Sequence, residues 1–548
     1  MVRRKYCILV GVLASTGIAR AQIPLDQSNT AIIQRDSKAA PEVPPPTRLK
    51  VETDSAEPTV ALAPTDKGIF VGAIRVAGAK QIGVEAFSLA IEPYIGRTVS
   101  NAELARLSRA VADIARARGY KFASAYVAPQ ALSLGVLTIT LDEGAIATVR
   151  IEGSKNRQLK EILVGIAGEA RPYDLVERHL LLAADIPGIA LKRIRFVREA
   201  GRGVLIVAVA ENRFSGRIGF DTLGTKAVGP ARAIASFAGA SLVSAGDQLS
   251  VQAATTPLQP NELGFVALRY ALPLDADGTA LSGSVAYARS EPGGILKQFA
   301  SVGNSATYGL SLSHQLIRSR ARNLYVALGF EQLSSHQSLF GLRVRDTQSA
   351  ALSLTIGANQ QLFGGRLRGE TTLTQGLSGF GATPRGDPLS SRADAGPGFT
   401  RFGLDADWTG PLAGPLSLRL GATAQLASAP LYAEQELGIG GPRFGRAYSY
   451  SERSGDEGAL GLAEVRADFN KATRWLDWVQ PYAFVDGGRV TNIGERFGGG
   501  SLYSGGGGVR ARLGGFDLGV EAAFPLGSER FDSGDHSPRF NLQLSKPF

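Results

Sequence analysis

Hydrophobic and polar positions follow two different periods along this chain. Between about residues 70 and 212, apolar residues recur at helical spacing or cluster in short runs. From about residue 213 onward they alternate with polar ones, residue by residue. Leu416, Leu418, Leu420, Ala422, Ala424 and Leu426 alternate with Ser417, Arg419, Gly421, Thr423 and Gln425. Leu324, Val326, Leu328 and Phe330 obey the same rule, as do Tyr308, Leu310 and Leu312, then Leu352, Leu354 and Ile356, and Phe516, Leu518, Val520, Ala522 and Phe524. A period of two belongs to a strand with one greasy and one wet face. Sixteen such runs can be placed, near residues 214–221, 231–241, 247–255, 262–272, 280–289, 305–316, 322–333, 347–358, 366–376, 399–408, 415–427, 456–469, 478–488, 501–512, 515–526 and 538–548. Each is close to the roughly 9–11 residues of a tilted membrane-crossing strand, and an even number suits a bacterial barrel. A large soluble sandwich or propeller is the alternative. Strand length, the small or charged polar members and a final strand ending at Phe548 favour the membrane barrel.

The preceding region predicts two compact α/β units. In residues 70–145, a strand-like run from Ile69 to Val76 precedes a helix with a clear start. Ser100 and Glu103 form a capping box, Leu104, Leu107, Val111 and Ile114 share one face, and Gly119 is placed to end it. Phe122 to Val127 and Val136 to Leu141 read as strands. Residues 146–212 repeat the plan, with strands over 146–151, 191–197 and 204–209 and helices over 159–166 and 173–184. Residues 22–69 read as a polar linker containing Pro44-Pro45-Pro46, with a short helix between Asp26 and Lys38 as one option.

The first residues set the compartment. Arg3, Arg4 and Lys5 precede a short apolar run from Cys7 to Ile18, and Ala19-Arg20-Ala21 forms a cleavage site. This is a secretory signal, residues 1–21. Cys7 is the only cysteine, so a processed chain has no disulfide, no Cys nucleophile and no thiolate ligand. No later stretch is long and apolar enough for a membrane helix, which leaves strands as the way to span a bilayer.

Composition adds detail. Gly supplies 67 of 548 residues, well above the roughly 7% typical. A formal charge of +10 fits a basic lumen or a surface near anionic lipid. No Lys/Arg run or aromatic–basic interleaving supports nucleic acid. Enzyme chemistry finds no anchor. The four His, at 179, 314, 336 and 536, lack metal-ligand spacing. There is no nucleophile elbow, and Gly505 to Gly508 lacks the Lys-Ser/Thr of a phosphate loop, reading better as a strand against which something packs closely. No metal or cofactor is expected.

Several motifs now converge. Gly119-Tyr120 is followed by Pro129-Gln130, Gly135, Glu143 and Gly144. Late in the chain come Phe484-Val485-Asp486-Gly487-Gly488 and, in the long loop 428–455, Gly441, Gly445, Arg446 and Tyr448. The chain resembles the outer-membrane transporters of two-partner secretion, the haemolysin secretion/activation type, within the superfamily of outer-membrane assembly factors. The resemblance implies a sixteen-stranded antiparallel membrane β-barrel behind two periplasmic α/β POTRA domains (polypeptide-transport-associated). It implies that the long loop folds into the lumen and that Arg446 pairs with Asp486, an interaction that a guanidinium and a carboxylate can make bidentately. Gly445 and Ala447 depart from the family's Val-Arg-Gly-aromatic string. Phe540, Leu542, Leu544 and Phe548 resemble the signal read by the barrel-assembly machinery, with Lys546 interrupting it. The implied partners are outer-membrane lipid, that machinery, and an unfolded exoprotein that is β-helical once folded. Rival readings are an assembly factor with the same fold and loop motif, which inserts other barrels, and a passive or ligand-selective pore with an unrelated receptor region.

Overall fold

The computed structural model describes residues 51–53, 68–130, 135–470, 476–494 and 498–548. The expected signal, 1–21, and the helix expected near Asp26 to Lys38 lie outside the described residues.

The first α/β unit is a three-stranded sheet. Ala73–Ala77 runs parallel to Val136–Asp142, which pairs antiparallel with Ser124–Tyr126. The single strand expected from Ile69 to Val76 is instead two, Ile69–Val71 and Ala73–Ala77. Gly72 breaks it, because its N–H turns to the Gly135 carbonyl at 2.7 Å. The principal helix spans Asn101–Ala117. Ser100 Oγ accepts from the Glu103 N–H, and Glu103 accepts from the Ser100 N–H at 2.9 Å. Leu104, Leu107 and Val111 form its buried stripe against Leu137, Ile139 and Leu141.

The second unit carries Ile146–Glu152, Ile189–Glu199 and Arg202–Glu211 with Arg202–Glu211 central, backed by helices Arg157–Val164 and Tyr173–Ala184. Its sheet has a fourth strand that periodicity did not announce. Val51–Thr53, within the expected linker, runs parallel to Ile194–Phe196. Val51 is buried, and Glu52 meets Arg193 at 2.7 Å. A free sheet edge accepts any extended segment because its N–H and C=O groups are already aligned. Phe122 stacks on Phe196 at 4.5 Å and Arg198 reaches Asp142 at 2.8 Å, which joins the two units.

Sixteen antiparallel strands close the barrel. They are β1 Phe214–Asp221, β2 Arg232–Ala240, β3 Gln248–Thr255, β4 Gly264–Pro273, β5 Thr279–Ser290 and β6 Val302–Arg318. Next come β7 Arg322–Leu339, β8 Leu342–Leu362, β9 Gly365–Leu377, β10 Thr400–Pro411 and β11 Leu416–Ala427. Then β12 is Glu457–Ala467, continued by Phe469–Asn470, β13 Leu476–Thr491, β14 Gly500–Leu513, β15 Phe516–Pro525 and β16 Arg539–Pro547. The seam pairs β1 with β16 from Arg217↔Pro547 to Asp221↔Gln543. Leu310, Leu352, Leu354, Ile356, Val485 and Val520 lie exposed on the outer wall, as alternation requires. The longest strands, β6, β7 and β8, have 17, 18 and 21 residues, well beyond the expected length. Their extra segments, such as Ser334–Ser338 and Arg343–Asp346, are mostly polar on both faces and carry no sustained period-two signal.

The chain enters β1 directly from the second α/β unit, so turns after even-numbered strands share that unit's side. Asp185 meets Arg318 at 2.6 Å and Glu177 meets Arg320 at 3.0 Å, docking the unit on the turn between β6 and β7. The long loops 378–399 and 428–456 therefore rise from the opposite rim.

The outer wall yields a prediction. Leu354→Arg is expected to cost roughly 2–4 kcal/mol of barrel stability and Ser353→Arg, facing the lumen, far less, measured by urea titration of refolded protein in lipid vesicles. The capped helix yields another. Hydrogen bonding from Ser100, backbone first and side chain next, then from Arg97, holds the Glu103 carboxyl down at about 2. A depressed carboxyl stabilises the fold above the ordinary value of 4.5 and loses that effect as pH falls through the folded value. Glu103→Ala is thus expected to lower the helical melting temperature at neutral pH, with the gap to wild type narrowing towards pH ~2, read by circular dichroism.

Candidate functional site

The loop 428–456 between β11 and β12 turns into the lumen instead of outward. Leu437–Ile439 pairs with Arg453–Gly455 to form a short hairpin. Its tip needs left-handed backbone: Gly441 and Gly445 have φ of +99° and +75°, a region Gly enters without steric cost. Phe444, Ala447 and Tyr448 are buried there against Leu460, Leu462, Tyr482, Phe484, Leu502 and Ala523 of strands β12 to β15. Burying a side chain the size of Phe444 stabilises by roughly 1.5–3 kcal/mol. Tyr448 also donates its hydroxyl to the Ser528 carbonyl at 2.8 Å, and its own carbonyl accepts from Arg539 at 2.8 Å.

Arg446 lies at the centre, with 4% of its side chain exposed. One nitrogen is 2.8 Å from Glu464 on β12, another 3.0 Å from Glu521 on β15, and Nε is 3.2 Å from Asp486 on β13. The guanidinium also lies 4.1 Å from the centre of the Phe484 ring. The pairing with Asp486 is therefore not bidentate. Nε and Oδ2 are in ionic contact but unaligned for a hydrogen bond. Asp486 Oδ1 is taken by the loop tip and the wall: it accepts from the Gly445 N–H at 2.9 Å, the Arg446 N–H at 3.3 Å and the Ser504 hydroxyl. Asp486 grips backbone while Arg446's fork goes to the two glutamates. Glu464 further pairs with Arg466 at 2.6 Å and Arg510 at 2.9 Å. Three arginines thus face three carboxylates, which makes so buried a cluster tolerable.

The Gly-rich stretch has a steric cause. A Cβ on Gly506 would press on the Phe484 ring and the Ala522 carbonyl, and one on Gly508 on the Tyr482 ring and the Val520 carbonyl. Gly488 likewise leaves no room beside Ala459 and Leu460. A cavity of about 930 Å³ opens beside the tip, lined by Arg217, Arg401, Arg419 and Arg443 among others.

The first-unit motif does structural work. Glu143 accepts backbone N–H groups of Lys80, Gln81 and Ile82 at 2.9–3.1 Å. The Gln130 amide bonds both backbone groups of Thr138, at 2.8 and 2.9 Å, directly after Pro129. Gly119 and Gly144 sit at φ of +98° and +81°. A Cβ on Gly144 would collide with Phe122, Gly119's carbonyl accepts from Tyr173 at 2.8 Å, and Tyr120's N–H closes the helix on the Ala115 carbonyl at 3.1 Å. At the other end of the chain, Phe540, Leu542, Leu544 and Phe548 are exposed on the outer face. Phe548 exchanges backbone hydrogen bonds with Gly216 at 2.9 Å and lays its ring over that glycine. Lys546 places its ammonium 4.8 Å from the Phe516 ring centre.

The residues that sequence motifs bring forward, Arg446 and Asp486, meet in the lumen. Glu464 and Glu521 were missed. Each occupies an inward position between outward neighbours, Ala463 and Val465 or Val520 and Ala522, and a lone acid at an inward position was the available signal.

Residues 202–511 match the family described as haemolysin secretion/activation protein ShlB/FhaC/HecB, and residues 69–144 match the ShlB-type POTRA domain. The chain belongs to this haemolysin secretion/activation family. Relatives include the outer membrane transporter CdiB of Dickeya dadantii strain 3937, 23% identical over 412 residues, covering 73% of this chain and 72% of that one. CdiB of Escherichia coli is 23% identical over 488 residues, 83% of this chain and 79% of the relative. Among solved structures, CdiB from Escherichia coli superposes with a TM-score of 0.71 at 20% identity, covering 97% and 98% of the two chains. BamA from Haemophilus ducreyi lacking POTRA domains 1–3 gives 0.53 at 14% identity, covering 88% and 100%. As a member of the haemolysin secretion/activation family, the chain is a protein transporter of the outer membrane with its POTRA region in the periplasm, and an exoprotein leaves through its barrel.

Removing the central arginine leaves Asp486 and Glu521 buried without their cation, while Glu464 keeps Arg466 and Arg510. Arg446→Ala is expected to weaken tip anchoring by roughly 3–5 kcal/mol, seen as faster hydrogen exchange over residues 440–452 in a protein that still runs as a folded barrel on unboiled gels.

Proposed function

We propose that the chain exports one unfolded partner exoprotein, without enzymatic chemistry, and that the lumen loop is its gate. The observation that supports this reading most is the Arg446 cluster. A loop that enters the lumen has its tip pinned at one charged centre to β12, β13 and β15, so it has a closed position that can be lost as a unit. The client, in extended form, binds the periplasmic units by adding a strand to an exposed sheet edge. It threads the barrel as the loop yields, and folding on the far side gives the direction.

The edge beside Ile189–Glu199 already holds Val51–Thr53. The linker therefore occupies a seat that an incoming strand would use, and client binding displaces it. The Glu52–Arg193 contact is solvent-exposed, and such pairs contribute roughly 0–1 kcal/mol. The ion pair therefore adds little to a seat that also rests on buried Val51 and three residues of backbone pairing.

Two measurements test the reading. Export of the natural partner is expected to fall sharply with Arg446→Ala, and unchanged export would remove the loop from the mechanism. Glu52→Arg, which sets a cation against Arg193, is expected to tighten binding of an N-terminal client fragment by roughly two- to fivefold. Equal affinity by calorimetry would rule out competition at this edge.

A further inference from the structure

We propose that Arg392 is a second lock on the lumen loop, clamping its root at the extracellular rim while Arg446 pins its tip. This rests on reading the loop as the gate.

Arg392 belongs to the loop 378–399, between β9 and β10. Its side chain is only 10% exposed. Nη1 lies 2.8 Å from Glu436 on the outgoing limb of the lumen loop and 3.0 Å from both oxygens of Asp456, where the returning limb enters β12. Nη2 donates to the Ile493 carbonyl at 3.0 Å, just beyond β13. Asp394, at 2.9 and 3.0 Å, holds the other edge of the guanidinium and fixes its plane. One planar fork thus joins the two limbs where they meet and ties them to the barrel wall. Asp456 is fully buried and completes the joint, accepting from the Leu431 N–H at 2.7 Å and the Ile493 N–H at 2.8 Å.

Arg392 can clamp because its own loop is held. Thr383 exchanges hydrogen bonds with Gln348 on the protruding end of β8, at 2.8 and 2.9 Å, and the Ser391 N–H donates to Thr347 at 2.8 Å. Ser391 Oγ accepts from the Ala433 N–H at 3.1 Å and donates to Glu434 at 2.8 Å. Ala395, Phe399, Leu431 and Tyr432 pack together, all fully buried. The root of the lumen loop is therefore seated against a second loop along its length, and Arg392 is the charge that closes the joint.

Two features make it a lock rather than a strut. Its acids, Asp394, Glu436 and Asp456, are distinct from those of Arg446, so tip and root are held by separate clusters. Three carboxylates surround one cation, and no described group of acids and histidines has the geometry to hold a metal ion. Withdrawing the guanidinium leaves like charges facing each other in a buried joint, which favours separation once release begins.

The test uses full-length protein in planar lipid bilayers, with unboiled-gel migration as the control for a folded barrel. Arg392→Gln is expected to raise the fraction of time spent in high-conductance states by roughly tenfold or more. Arg392→Lys, which keeps charge but lacks the fork, should fall between. The Arg392→Gln, Arg446→Gln double variant should multiply the two single effects. If Arg392→Gln does not fold, Glu436→Gln, which removes one partner at nearly constant volume, should shift gating the same way. Wild-type gating by the folded root variant, or a double variant no more open than Arg446→Gln, would overturn the second lock. If Arg446→Gln also gates as wild type, the gate reading itself fails. If Arg446→Gln opens the channel and the root variant does not, only this inference fails.

Discussion

A buried cation must be answered by anions, and at Arg446 that requirement orders the whole lumen. The guanidinium reaches carboxylates on β12, β13 and β15, and its own backbone N–H rests on Asp486. Without the seated tip, Asp486 loses the two backbone N–H groups it holds and Glu521 loses its guanidinium, while Glu464 keeps its other partners. Arg466 and Arg510 complete the balance through Glu464. The loop is therefore either seated with every charge answered, or unseated with several left bare. Intermediate positions are penalised, and a gate needs that bistability.

The wall is shaped around this cluster. Gly506 and Gly508 give up side chains so that Phe484 and Tyr482 can lie flat beneath the guanidinia. Charge is concentrated on one half of the lumen: inward positions of β9 to β16 carry Arg368, Asp405, Arg419, Glu464, Asp486 and Arg510. The wall over β5 to β8 presents mainly small neutral groups such as Ser284, Thr307, Ser311, Ser353 and Thr355. The loop lies against the charged half, where it has partners.

The periplasmic region obeys a different logic. Its motif residues mostly support the fold: Glu143 and Gln130 stand in for missing backbone partners, and Gly144 admits Phe122 to the joint between the units. What is offered outward is backbone. A sheet edge is generic, recognising extended chain rather than a particular side chain, which suits a transporter handling unfolded protein.

Much of this was legible in the residues alone, because barrel strands are written in a local code. Alternation placed all sixteen strands, and Ser100 with Glu103 announced the helix after them, since side-chain parity and capping depend on neighbours two to four positions away. Arg446 and Asp486 were singled out only through the resemblance to a known family, whose motifs are short stretches of sequence. The strand formed by Val51–Thr53, the full reach of β6 to β8, the glutamates that share Arg446, and the whole Arg392 joint could not. Each depends on which segments meet across the closed barrel or beneath it, as where Val51 pairs with Ile194 far along the chain. Closure sets those meetings, and no periodicity within a single strand records which inward residue will face which.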